Sequence, residues 1–105
     1  MNVNVSISVF AAPGLSVARQ QSVSAAVALF RGKTIPITQI NDQVPINNLN
    51  FVQAMSAVLS IPMNIADNLI FLRALLNGQE LDSTKSFQDN NVTNNNLLNI
   101  HFIAK

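Results

Sequence analysis

The chain has 105 residues, a net charge of +1, 49% hydrophobic but only 10% charged residues, and no cysteine. That describes one folded domain with a modest core and a neutral, polar surface, its charge far below the usual quarter. Its six bases are scattered from Arg19 to Lys105, which disfavours nucleic-acid binding, since phosphate neutralisation needs clustered Lys and Arg. Without cysteine there is no disulfide frame or thiolate metal site, and cytoplasmic residence is expected. No apolar run approaches the ~20 residues that span a bilayer, and the start of the chain lacks the basic n-region of a signal peptide. Fifteen asparagines, among them Asn94-Asn95-Asn96, take the place of charges. The sequons at Asn4 and Asn91 are expected by chance in such a composition.

Val3, Val5, Ile7 and Val9 alternate with Asn2, Asn4, Ser6 and Ser8, the period of a strand with one buried face. Pro13-Gly14 marks a turn. Leu15 to Phe30 fits two patterns. Val23, Ala25, Val27 and Leu29 alternate as in a strand, and Val23, Ala26, Val27 and Phe30 follow a helix face. Arg31-Gly32-Lys33 reads as a hairpin turn. Thr34 to Ile40 reads as a strand, with Pro36 at an edge or bulge because it lacks an N–H.

Asn47 or Asn48 is suited to cap a helix running to Ser60. Phe51, Val52, Met55, Val58 and Leu59 share one of its faces, and Pro62 stops it. Leu69 to Leu76 is an apolar strand. Asn77-Gly78 is the strongest short hairpin signal. Leu81 falls on the return strand, Phe87 and Val92 flank a loop with a short helical turn, and Leu98, Ile100 and Phe102 alternate with Asn99 and His101 in a last strand.

From Arg73 to Ile103 the stretch RALLNGQELDSTKSFQDNNVTNNNLLNIHFI resembles the second half of ubiquitin, residue type by residue type and without a gap. VALFRGKTI (Val27–Ile35) is similar to the family's first hairpin, and Ile61-Pro62 to the Ile-Pro after its helix. The resemblance implies an α+β, ubiquitin-like β-grasp. Its mixed sheet would have four to five strands, with one main helix packed across it. It favours the hairpin at Gly32 over Val3–Val9 as the start of the fold. Residues 1–22 then form an N-terminal extension with a possible extra strand, and 23–105 the ubiquitin-like domain. Two departures are some six extra residues between Pro62 and Arg73, and the lack of the family's diglycine tail, which points to a scaffold that is not conjugated.

Family members are docked on the outer face of the sheet. Position by position, the resemblance puts Leu75 at the central isoleucine of that patch, Asn99 at its histidine and His101 at its valine, with Phe30 near the leucine of the hairpin loop. Strict alternation along Leu69–Leu76 sets Leu69, Phe71, Arg73 and Leu75 on one outward stripe, unless the N-terminal segment covers it. Exposed apolar groups of this kind mark interaction sites.

No catalytic, cofactor or metal site is expected. His101 is the single histidine, the acids Asp42, Asp67, Glu80, Asp82 and Asp89 sit on separate elements, and no phosphate loop or nucleophile motif occurs. The expected function is a non-enzymatic, ubiquitin-like adaptor that binds another protein. Alternatives are a self-assembling structural protein and a small accessory protein of a bacterial secretion system.

Overall fold

The computed structural model describes residues 1–105. Its elements in chain order are β1 (Val3–Ala11), α1 (Val17–Phe30), β2 (Ile35–Ile37), a 3-10 turn (Ile46–Asn48), α2 (Phe51–Ser56), α3 (Met63–Ala66), β3 (Leu69–Leu76), β4 (Gln79–Glu80) and β5 (Leu97–Ala104). The sheet is mixed and open, with strand order β2-β1-β5-β3-β4. β1 and β5 are parallel along their whole length, Asn4 beside Leu97 through Ala11 beside Ala104. Every other neighbouring pair is antiparallel.

Alternation divides the sheet into two faces. Val3, Val5, Ile35, Ile37, Ala74, Leu98, Ile100 and Phe102 are buried on one of them. They meet Phe30 of α1, Phe51 and Met55 of α2, and Ile40, Ile46, Phe87 and Val92 from the connecting segments in a single core. Ile7 and Val9 pack against it, half-buried. Phe87 and Val92 lie in the core as their spacing suggests. Leu81 returns along β3, its N–H donating to the Ala74 carbonyl at 2.8 Å.

The hairpin expected at Gly32 is absent. Val23–Phe30 is the second half of α1. The Ser16 hydroxyl caps this helix by accepting from the Arg19 N–H, and Ala26 and Phe30, four residues apart, bury one face of it. Gly32 does adopt positive φ (+69°), but to end a helix, since Arg31 N–H still donates to the Val27 carbonyl. The antiparallel partner of β2 is β1, Val3 facing Ile37 and Val5 facing Ile35. The sheet therefore depends on residues 3–11, and the boundary expected at 22/23 falls inside α1.

Two further elements are shorter than the sequence suggests. Of Thr34–Ile40 only Ile35–Ile37 is paired, because Gln39 turns the chain at φ 58°. Pro36 does sit on an edge strand. The helix expected over Asn47–Ser60 is a 3-10 turn followed by α2, and its cap is Asn50, whose Oδ1 accepts from the Gln53 N–H. Phe51 and Met55 are buried, but Val58 is exposed. Pro62 both ends this region and opens α3, its carbonyl accepting from Ile65 and Ala66.

The asparagines shape and brace the loops. Asn77, Asn91 and Asn95 take the left-handed backbone conformation, which Asn tolerates better than other non-glycine residues. Asn77 with Gly78 (φ 53° and 78°) forms the tight β3–β4 turn. Asn2, Asn41, Asn94 and Asn96 accept hydrogen bonds from backbone N–H groups. Asn90 accepts from Asp82 N–H and donates to the carbonyls of Asp82 and Ser86. The loop before β5 is thus held mainly by uncharged side chains, joined by the Asp82 carboxylate, which accepts from the Thr84 N–H at 3.0 Å.

Candidate binding face

Leu69 and Phe71 face the core, against the expected stripe. The cause is a β-bulge. Phe71 stands opposite Phe102 but Arg73 opposite His101, so Leu72 is an extra residue and the alternation slips by one. Leu69, opposite Ala104, and Phe71 pack on the core side. The Phe71 ring stacks on Phe51 at 5.5 Å and meets Phe102 edge-on at 6.5 Å. Phe30 also leaves the candidate set, being 2% exposed within the core. Arg73, Leu75, Asn99 and His101 remain together on the outer face.

That face is built in rows set by the strand register. Phe10, Ile103 and Ile70 are direct neighbours across β1, β5 and β3. Phe10, Ile70 and the bulged Leu72 are each more than 40% exposed. Period-two counting misses Ile70 and Leu72 because it runs through the bulge, and misses Phe10 because it treats β1 as an extension, whereas Ile103 continues the outward alternation of Asn99 and His101 on β5. In the next row Ser8, His101 and Arg73 are neighbours, and below them Ser6, Asn99 and Leu75. Leu75 and Leu97 wall a hollow of about 240 Å³ floored by Ser6 and Asn99.

A series of hydrogen bonds crosses the polar rows. Glu80 Oε1 pairs with Arg73 Nε at 3.2 Å. Arg73 Nη1 lies 3.0 Å from His101 Nδ1, and His101 Nε2 meets Asn99 Oδ1. Asn99 Nδ2 donates to the Ser6 carbonyl and to the hydroxyls of Ser6 and Ser8, at 3.0–3.3 Å. Guanidinium only donates, so Nδ1 is the unprotonated nitrogen and Nε2 carries the proton. Burial holds the His101 pKa below its ordinary value, the Arg73 charge lowers it further, and Glu80 partly offsets both. Phe10 covers the ring, its centroid 5.1 Å away.

This arrangement presents an apolar row beside a fixed polar one. No group of three or more His, Asp or Glu side chains comes together to hold a metal, and no helix is long and apolar enough to cross a membrane. No model of a known protein family matches the chain, and no curated protein matches it.

Proposed function

We propose that the chain is a ubiquitin-like β-grasp adaptor that binds another protein through the outer face of its sheet, and that it is not an enzyme. Support for the fold comes from the element order: an antiparallel strand pair, a helix, then a strand, turn, short strand, loop and last strand, with β1 and β5 parallel. The departure is α1, which stands where a tight turn would join β1 to β2. The observation that carries the function is the row Phe10–Ile103–Ile70 with Leu72, exposed beside the linked side chains of Arg73, His101 and Asn99. Apolar groups rimmed by ordered polar ones, with an arginine at the margin, are what interface cores are made of.

The test is site-specific photo-crosslinking in the source cells. A crosslinker at Ile103 should give one discrete protein adduct, and Ile70→Asp or Leu72→Asp should abolish it. A crosslinker at Val58, exposed but off this face, should give none. The same adduct from Val58, or one that survives Ile70→Asp, would rule out this face.

A further inference from the structure

Asn77 is the one asparagine of fifteen that precedes a glycine. It is also the one whose reacting groups are both free. An asparagine is lost spontaneously when the next residue's main-chain nitrogen attacks its side-chain amide carbon. A hydrogen bond on either group holds that attack back. The N–H that follows Asn47, Asn48, Asn64, Asn91 and Asn95 in each case donates to a carbonyl at 2.9–3.2 Å. The other asparagines, Asn77 apart, have bonded side chains, as Asn90 has to Asp82 and Ser86, and Asn99 to Ser6 and His101. Neither the Asn77 amide nor the Gly78 N–H has a partner in the chain.

The surroundings leave room for the attack. Gly78 has no Cβ to shield its nitrogen, and nothing lies within 4 Å of where one would stand. Asn77, Gly78, Gln79 and Glu80 are all exposed. In the closed turn Asn77 holds φ 53°, and ring closure needs its backbone to rotate. β4 resists that rotation weakly. It pairs with β3 only at Leu75–Glu80 and Leu76–Gln79, at the edge of the sheet. The exposed Arg73–Glu80 ion pair adds little. A hairpin tip of this kind opens locally while the core stays closed.

We propose that Asn77 is a site of spontaneous modification of the folded chain, at which water converts it to aspartate and isoaspartate. The Gly78 nitrogen gives its proton to hydroxide and attacks Cγ of Asn77. The N–Cγ bond forms, the Cγ–Nδ2 bond breaks, and Nδ2 leaves as ammonia with a proton from water. The product is a five-membered cyclic imide, which water then opens. Attack at Cγ breaks the new bond and leaves aspartate. Attack at the main-chain carbonyl carbon of Asn77 breaks the original peptide bond and leaves the chain running through Cγ, as isoaspartate. One water is consumed and one ammonia released, with no oxidation or reduction. Either product puts a carboxylate where Asn77 rims the hollow between Leu75 and Leu97. Isoaspartate also adds a main-chain carbon to the two-residue turn whose geometry sets the β3–β4 register. Leu76 then no longer faces Gln79, and Glu80 is carried away from Arg73. The conversion does not depend on whether the sheet face binds a partner.

The experiment keeps the full chain, folded by circular dichroism, in warm, mildly alkaline buffer for several weeks. Trypsin, which cuts after Arg73 and Lys85, releases Ala74–Lys85, whose single asparagine is Asn77. This peptide should gain the mass of an amide-to-acid exchange before any other does. Fragmentation should place the gain at Asn77 and not at Gln79, and a protein isoaspartate methyltransferase should methylate part of the product. The rate should rise with hydroxide concentration. Asn77→Gly keeps a residue pair suited to the turn. It should fold as the parent does and lose most of the whole-chain mass gain. The isoaspartyl form, separated by ion exchange, should lack the NMR contact between Leu76 and Gln79, and its persistence would refute the opening of the turn. The proposal is overturned if Ala74–Lys85 keeps its amide throughout, if another asparagine converts first, or if Asn77→Gly gains mass as fast as the parent.

Discussion

Arg73 donates to Nδ1 of His101 across the β3–β5 pair, and that bond exists only while the imidazole is neutral. Protonation at Nδ1 would set an imidazolium against the guanidinium and break this bond, while Nε2–H would still donate to Asn99 Oδ1.

Stability should therefore fall on the acid side. The folded-state pKa of His101 lies below its ordinary value of 6.5, so between the two values the unfolded state binds more protons. Stability should be full above pH ~6.5 and decline as the pH drops through the folded-state value. Urea unfolding at successive pH values should show this slope, and His101→Gln should flatten it. A His101 ring that titrates at or above 6.5 by NMR would contradict the direction.

The bulge at Leu72 makes two adjacent residues differ sharply. Phe71→Asp should unfold the protein or cost at least about 3 kcal/mol, because it sets a carboxylate against Phe51 and Phe102. Ile70→Asp, on the outer face, should cost less than about 1 kcal/mol. Equal losses in urea unfolding would place both side chains on the same side of the sheet.

Phe102 is 2% exposed between Phe71 and the core. Phe102→Ala should cost about 3–5 kcal/mol. A loss below about 1 kcal/mol in urea would remove it from the core.

Gly32 closes α1 at φ +69° with nothing within 4 Å of the place a Cβ would occupy. Gly32→Ala should lower stability by about 1–2 kcal/mol through backbone strain alone. In protein made by chemical synthesis, a D-alanine at that position, which prefers positive φ, should restore it. If D- and L-alanine are equally harmful, something other than φ governs the site.

What the sequence makes legible is the pattern of single strands. Leu98, Ile100 and Phe102 alternate without interruption, and all are buried. Asn77-Gly78 has one reasonable geometry, and it is the one found. Where two physical signals coincide, the sequence cannot separate them. Gly32 signals positive φ correctly, but a hairpin turn and a helix C-terminus both require it. Alanine and valine in Val23–Phe30 leave helix and strand open, and burial of Ala26 and Phe30 favours the helix. Alternation misplaces the candidate face by one residue, because a bulge leaves the composition of a strand unchanged. Arg73, Leu75, Asn99 and His101 lie beyond the bulge on β3 or on the uninterrupted β5, and they share the outer face as alternation has them. Leu69 and Phe71 lie before it and are not.

The side-by-side run of β1 and β5 has a kinetic consequence. Its paired residues are separated by almost the whole chain, Asn4 with Leu97 and Ala11 with Ala104. During synthesis β1 must wait for the whole intervening stretch up to β5 before one of its two long edges is satisfied. Such distant pairing must close a long loop before any contact rewards it, which slows folding. On the ribosome the nascent polypeptide carries β1 as an unpaired, uncharged strand, open to neighbouring nascent polypeptides until β5 emerges.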